Sequence, residues 1–203
     1  MTPIRSVCVY CGSSPGRSDI YRAAGHALGR SLAESGIRLV YGGGTKGIMG
    51  AVADGAIEAG GKVTGIIPRF LITKEATEQA LGRLDELHVT ENMHERKHRM
   101  FEESDAFVTL PGGIGTVEEI VEIMTWAQLG HHAKPMVFVN VGGFWNPMLA
   151  LIRHMREEGF VHTGHRVQPL VVETPEAVVP AILAASAASG GPSEGVPSVI
   201  DRL

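Results

Sequence analysis

The chain has 203 residues, 44% of them hydrophobic, enough length and apolar content for one compact domain with a substantial core. A formal net charge of −4 with acids and bases interleaved leaves no basic face to neutralise a run of phosphates, which argues against a nucleic-acid partner but not against a single nucleotide. The start Met1-Thr2-Pro3-Ile4-Arg5 carries no long apolar stretch, and no run approaches the roughly 18 apolar residues that span a bilayer, so no membrane partner is expected and the chain reads as cytoplasmic.

In chain order, short apolar runs predict strands at 7–10, 38–41, 63–67, 106–110 and 136–139, with 170–172 a weaker sixth. Helical patterns fill the intervals at 20–34, 48–59, 93–103, 117–129, 145–158 and 175–186. Strict alternation of this kind predicts an α/β fold. Because the strands are apolar on both faces, the expected architecture is a doubly wound parallel sheet flanked by helices. The segment 70–90 is less regular and reads as a short helix with an extra loop over the site. Residues 1–188 are expected to form one nucleotide-binding domain. From residue 189 onward Gly-Gly-Pro-Ser-Glu-Gly lacks apolar periodicity and reads as a flexible tail.

Cys8 and Cys11 form a C-x-x-C, but the first lies inside a predicted strand. Residues three apart in a strand point to opposite faces, so the pair reads as a core thiol and a loop thiol rather than a redox couple. Three glycine-bearing loops follow predicted strands: Cys11-Gly12-Ser13-Ser14, Gly42-Gly43-Gly44-Thr45-Lys46-Gly47 and Pro111-Gly112-Gly113-Ile114-Gly115-Thr116. Backbone amides at such strand-to-helix turns attract anions, and three at equivalent positions point to a phosphate site. The second loop satisfies G-x-G-x-x-G, yet the following strand ends Ile66-Ile67-Pro68-Arg69 with no acid for a dinucleotide's ribose, and Ile48 stands where a P-loop lysine belongs. A mononucleotide fits better than either.

His94-Glu95-Arg96-Lys97-His98 is a literal H-E-x-x-H. Charges at its two middle positions are unusual for a buried metal helix, and no metal is expected. Lys46, Lys62, Lys74, Lys97 and Lys134 show no pattern that marks a pyridoxal-binding lysine, which argues against a decarboxylase. The third loop is the most informative. Thr116 and Glu119 have the spacing of a helix capping box, and structure alone would explain both; but a second acid, Glu118, beside a phosphate cradle needs a cation nearby, which Arg96 and Lys97 could supply.

These residues resemble the Lonely guy family of phosphoribohydrolases, whose members often carry a mistaken lysine decarboxylase label. The resemblance rests on Pro111-Gly112-Gly113-Ile114-Gly115-Thr116 followed by Glu119. Met93-His94-Glu95-Arg96-Lys97, Thr125-Trp126-Ala127-Gln128-Leu129-Gly130 and the glycine loop from Gly42 to Gly50 also match the family's pattern. It implies a Rossmann-like homodimer that hydrolyses the N-glycosidic bond of N6-modified adenosine 5′-monophosphates, releasing free base and ribose 5-phosphate. It also implies that Arg96 and Glu119 are the key residues, with Lys97, Gly113, Ile114, Gly115, Thr116 and Thr125 contacting nucleotide. The loop reading adds Gly12, Ser13, Gly43, Gly44, Thr45 and Gly112 to the substrate-binding set. Residues 70–90 are longer than in the family's plant sequences, so no base contact is carried over there.

Glycosidic cleavage passes through an oxocarbenium-like state. A carboxylate at Glu119 can stabilise it, activate water or attack, while Arg96 neutralises phosphate and orients ribose. No cofactor is expected. The rival from another class is a nucleotide carrier or sensor that binds without hydrolysis. Helices at 120–129 and 145–152 carry apolar residues beyond one buried face, including Met124, Trp126 and Trp145, which suits a dimer interface and suits core packing almost as well.

Overall fold

The computed structural model describes residues 3–161 and 169–188; the tail expected from residue 189 lies outside them. Seven strands form one sheet: β1 (Ser6–Tyr10), β2 (Arg38–Tyr41), β3 (Val63–Pro68), β4 (Glu86–Thr90), β5 (Ala106–Thr109), β6 (Met136–Val139) and β7 (Leu170–Val172). Their order is β4-β3-β2-β1-β5-β6-β7 and every pairing is parallel. The helices are α1 (Asp19–Glu34), α2 (Gly47–Glu58), α3 (Arg69–Glu75), α4 (Glu78–Leu81), α5 (Met93–Glu102), α6 (Ile114–Gln128), α7 (Asn146–Glu157) and α8 (Val178–Ala188). This is the doubly wound α/β arrangement expected from the alternating pattern.

The pleat divides the core in two. Val7 and Val9 of β1 join Leu28 and Leu32 of α1, Val52 of α2 and Ile182 of α8 on one face, whereas Cys8 and Tyr10 join Met100 and Phe101 of α5 and Ile120 and Ile123 of α6 on the other. Such two-sided burial is why these strands read as unbroken apolar runs. Cys8 and Cys11 are both free and buried in opposite halves of this core.

Two expectations need correction. Segment 70–90 holds two short helices, α3 and α4, and a complete edge strand, β4, in register with β3 from Thr64↔Glu86 to Pro68↔Thr90. As an edge strand it keeps Leu87 and Val89 partly exposed and alternates them with Glu86 and His88, so it never presents an apolar run. α6, in turn, begins at Ile114 rather than 117. Its N-cap is Gly113, with no side-chain cap, and the Val117 amide donates to the Gly113 carbonyl. Thr116 is therefore the third residue of the helix, and the capping-box explanation of Thr116 and Glu119 falls away.

Candidate active site

Strand order reverses at β1 and β5: from this pair the chain winds through β2, β3 and β4 on one side and β6 and β7 on the other. Loops leaving the carboxyl ends of two such strands diverge and leave a crevice between them. Here the Gly12 amide donates to the Pro111 carbonyl (3.1 Å), and the Gly12 carbonyl accepts from the Ile48 and Met49 amides (3.1 and 3.2 Å), lacing the first and third glycine loops to the start of α2. A cleft of about 240 Å³ opens over this junction, with Gly12, Ser13, Gly113, Gly115 and Thr116 in its wall.

The first amides of α6 have no intrahelical acceptor and carry the positive end of the helix dipole, so this wall is an anion cradle. Its glycines differ in purpose. A Cβ on Gly112 would sit 2.1 Å from the Thr116 hydroxyl oxygen and 2.9 Å from the Gly12 amide, so packing alone requires glycine there. A Cβ on Gly113 or Gly115 would meet nothing within 4 Å, and neither has positive φ. Bare backbone facing open cleft is what close approach by a ligand requires.

Across the cleft from the cradle, α5 delivers Arg96, which is only 4% exposed. Its Nε donates to the Ile66 carbonyl (3.2 Å) and its Nη2 to the Gly42 carbonyl (3.3 Å), which fixes the guanidinium against the ends of β3 and β2. A Cβ on Gly42 would lie 2.0 Å from Nη2, so the second glycine loop makes room for the arginine. The remaining nitrogen, Nη1, lies 3.6 Å from Oε1 of Glu119 in the second turn of α6. Glu119 is 6% exposed, yet lines the cleft. Burial pushes its carboxyl up to about 7, against the opposing pull of Arg96 and with a further upward push from Glu118. It can therefore hold or release a proton near neutrality.

The structure brings together Gly12, Ser13, Arg96, Gly113, Gly115, Thr116 and Glu119, and leaves several expected residues elsewhere. Lys97 Nζ pairs with Glu118 (2.5 Å) and Glu122 (3.1 Å), tying α5 to α6 instead of facing the cleft. The Thr125 hydroxyl donates to the Val121 carbonyl on the exposed side of α6 (2.8 Å). Ile114 is 86% exposed at the mouth of the cradle. Gly43, Gly44 and Thr45 sit behind the wall. Gly43 takes φ +72° against Ile67, and Thr45 donates its amide (2.8 Å) and hydroxyl (3.3 Å) to the Glu75 carbonyl. Sequence reasoning missed Met49, Leu71, Glu75 and Met93, all in the lining. Met49 and Met93 carried a signal, standing inside matched motifs; Leu71 and Glu75 lay in the irregular segment.

The H-E-x-x-H resolves differently. Asn92 caps α5, its Oδ1 accepting from the Glu95 amide (2.9 Å) while Glu95 Oε2 accepts from the Glu91 amide (3.0 Å). Glu95 is a capping residue, and His94 and His98 point to solvent. Among the described residues the carboxylate–imidazole cluster is Glu86, His88 and Glu103. Arg38 and Arg99 each lie 3.0 Å from Glu103 there, so the acids are already paired.

Residues 49–182 match the family model described as possible lysine decarboxylase. A probable cytokinin riboside 5′-monophosphate phosphoribohydrolase of Oryza sativa subsp. japonica is 47% identical over 173 residues, 85% of this chain and 74% of the relative. The cytokinin riboside 5′-monophosphate phosphoribohydrolase of Rhodococcoides fascians is 43% identical over 88% of this chain and 89% of its own length. In fold, the molybdenum cofactor carrier protein of Chlamydomonas reinhardtii superposes with a TM-score of 0.67 over 91% of this chain and 99% of that one, at 19% identity. With the family model matched across both halves of the cleft and relatives aligned over most of their length, the chain belongs to the Lonely guy family of phosphoribohydrolases.

Proposed function

We propose that this chain hydrolyses the N-glycosidic bond of N6-modified adenosine 5′-monophosphates, with AMP itself a second candidate substrate, to free base and ribose 5-phosphate. The observation that carries the reading is the placement of a buried acid, Glu119, on the same helix as the amide cradle and 3.6 Å from a buried arginine. With the 5′-phosphate on the amides of 113–116, Glu119 stands one to two turns further along α6, where the anomeric carbon of the same nucleotide would come. As positive charge develops on the ribose, an ionised Glu119 stabilises it and either activates water or attacks C1′. Arg96 holds that carboxylate in place and adds positive potential to the phosphate side.

None of the lining residues among those described is a lysine, which a decarboxylase would need for an aldimine. A single nucleotide-binding unit over 1–188, a homodimer and a cytoplasmic setting complete the proposal. No helix among the described residues is long and apolar enough to cross a membrane.

The test is incubation of purified protein with AMP, dAMP and N6-isopentenyl-AMP, followed by separation of base from nucleotide. Base and the matching sugar 5-phosphate (ribose 5-phosphate from the ribonucleotides, 2-deoxyribose 5-phosphate from dAMP) are expected in equal amounts, and Glu119→Gln should abolish release while leaving nucleotide bound. Tight binding with no base from any of the three defines a carrier instead.

A further inference from the structure

The cluster of Glu86, His88 and Glu103 is held by arginines, but ion pairing does not account for all of its geometry. Glu86 and His88 stand two apart on β4 and so share one face of it, where they meet Glu103, the C-cap of α5. One ligand atom from each lies within 4.8 Å of the other two. His88 Nε2 is 3.3 Å from Glu103 Oε1 and 3.6 Å from Glu86 Oε2. Arg99 Nη2 lies 3.3 Å from the same Nε2. A guanidinium can only donate, so this nitrogen presents its lone pair, and three acceptors converge on one point. Acceptors brought together in this way ask for a cation between them. Two atoms each 2.0–2.1 Å from one ion at a tetrahedral angle stand about 3.4 Å apart, a spacing that the two contacts of His88 match.

The two arginines play different parts. Arg99 Nε is 3.0 Å from Glu103 Oε1, but its side chain is 46% exposed, so it turns out into water at small cost. Arg38 is fixed more firmly: its Nη1 donates to the other oxygen of Glu103, Oε2 (3.0 Å), and its Nη2 to the Glu103 carbonyl (3.0 Å). Arg38 therefore orients Glu103 and leaves Oε1 to a second cation. With Arg99 withdrawn, two carboxylates and one guanidinium leave one negative charge to face that cation. We propose that Glu86, His88 and Glu103 bind a divalent transition-metal ion of the zinc class, with water completing its shell. An imidazole among the ligands favours zinc, cobalt or nickel over magnesium and calcium, which take oxygen. Along α5 the site is about 10 Å from Arg96, so the ion takes no part in chemistry at the cleft. It ties the start of β4, the edge strand next to β3, to the end of α5.

His94 and His98 are exposed one turn apart on α5 and can chelate an ion themselves, so both are replaced by alanine in the tag-free chain used for every measurement. Calorimetric titration with zinc chloride should reveal a site for one ion per chain that magnesium chloride at the same concentration does not fill. His88→Ala and Glu86→Gln should each weaken that site roughly tenfold or more, since even residues behind a metal's ligands are worth that much. Arg99→Ala should instead tighten it by about two- to fivefold, the worth of the exposed ion pair that the metal displaces. This variant removes no ligand, so it reads the site even where a ligand variant is unstable. Saturating zinc should raise the melting temperature of the starting chain and leave that of His88→Ala unchanged. Absence of a zinc site, zinc affinity unaltered in both His88→Ala and Glu86→Gln, or weaker binding in Arg99→Ala overturns the proposal.

Discussion

At Glu119 and Arg96 the chemistry reduces to one buried acid and one buried base of fixed charge. A nucleophile or general base must be ionised, so kcat/KM should rise with pH through a limb near 7 and level off above it, following the raised carboxyl. Arg96 pulls that carboxyl down, so Arg96→Ala should move the limb to higher pH as well as lowering the plateau. A flat profile between pH 5.5 and 8.5 would remove Glu119 from the chemical step. The same shift has a cost in stability. Glu119 holds its proton more tightly in the folded chain than in the unfolded one, so its contribution to folding stability is full below about pH 4.5 and is lost as pH rises through about 7. Glu119→Gln, which mimics the protonated acid, should therefore melt higher than wild type at pH 8, by about 1–3 kcal/mol, and differ little at pH 5. Melting curves at the two pH values check this. Both residues were legible in the sequence from their motifs. Their burial was not, because Arg96 sits among exposed polar neighbours and only the tertiary contact with the ends of β2 and β3 encloses it.

Among the elements, α6 carries both the amide cradle and Glu119 because it starts at Ile114. The run Gly112-Gly113-Ile114-Gly115 has no apolar periodicity, so pattern alone puts the helix start at 117, whereas the backbone is already helical at Ile114. That three-residue difference turns Thr116 from a cap into part of the cradle. Each glycine then has its own expected outcome. Gly115→Ala should leave stability within about 0.5 kcal/mol or improve it, since alanine favours helix, yet raise KM at least tenfold by putting a methyl group over the amides. Gly112→Ala should instead lower the melting temperature by several degrees through its clash with Thr116 and Gly12. Equal effects on melting and KM in both variants would mean that the cradle glycines are structural. β4 and α3 were hidden for a related reason. An edge strand and a helix with no fully buried residue leave little hydrophobic signature, so Leu71 and Glu75 could be placed only by the fold.

For the whole molecule, the position of the cleft follows from chain order. Alternating βα units imply a parallel sheet, and the reversal at β1 and β5 brings together loops a hundred residues apart. The surface is where the sequence misled. Met124 and Trp145, which looked available for a dimer contact, are 8% and 2% exposed and belong to the core beside Phe138. Of the large apolar residues on these two helices, those left exposed are others: Ile114 and Val121 on α6, Leu129 at its C-cap and Leu151 on α7. Steps of seven and eight residues bring Ile114, Val121 and Leu129 onto one side of α6, two turns apart each time. Only the burial pattern distinguishes this stripe from the core-facing one, since α6 is apolar on both. A second copy of this chain is the proposed cover for it. Sedimentation equilibrium at micromolar concentration should give twice the chain mass, and the double variant Val121→Glu, Leu129→Glu should sediment as a monomer with its melting temperature within a few degrees of wild type, because neither side chain fills the core. A wild type that sediments as a monomer would leave the stripe an ordinary exposed surface. A double variant that remains dimeric would move the interface to another face of the molecule.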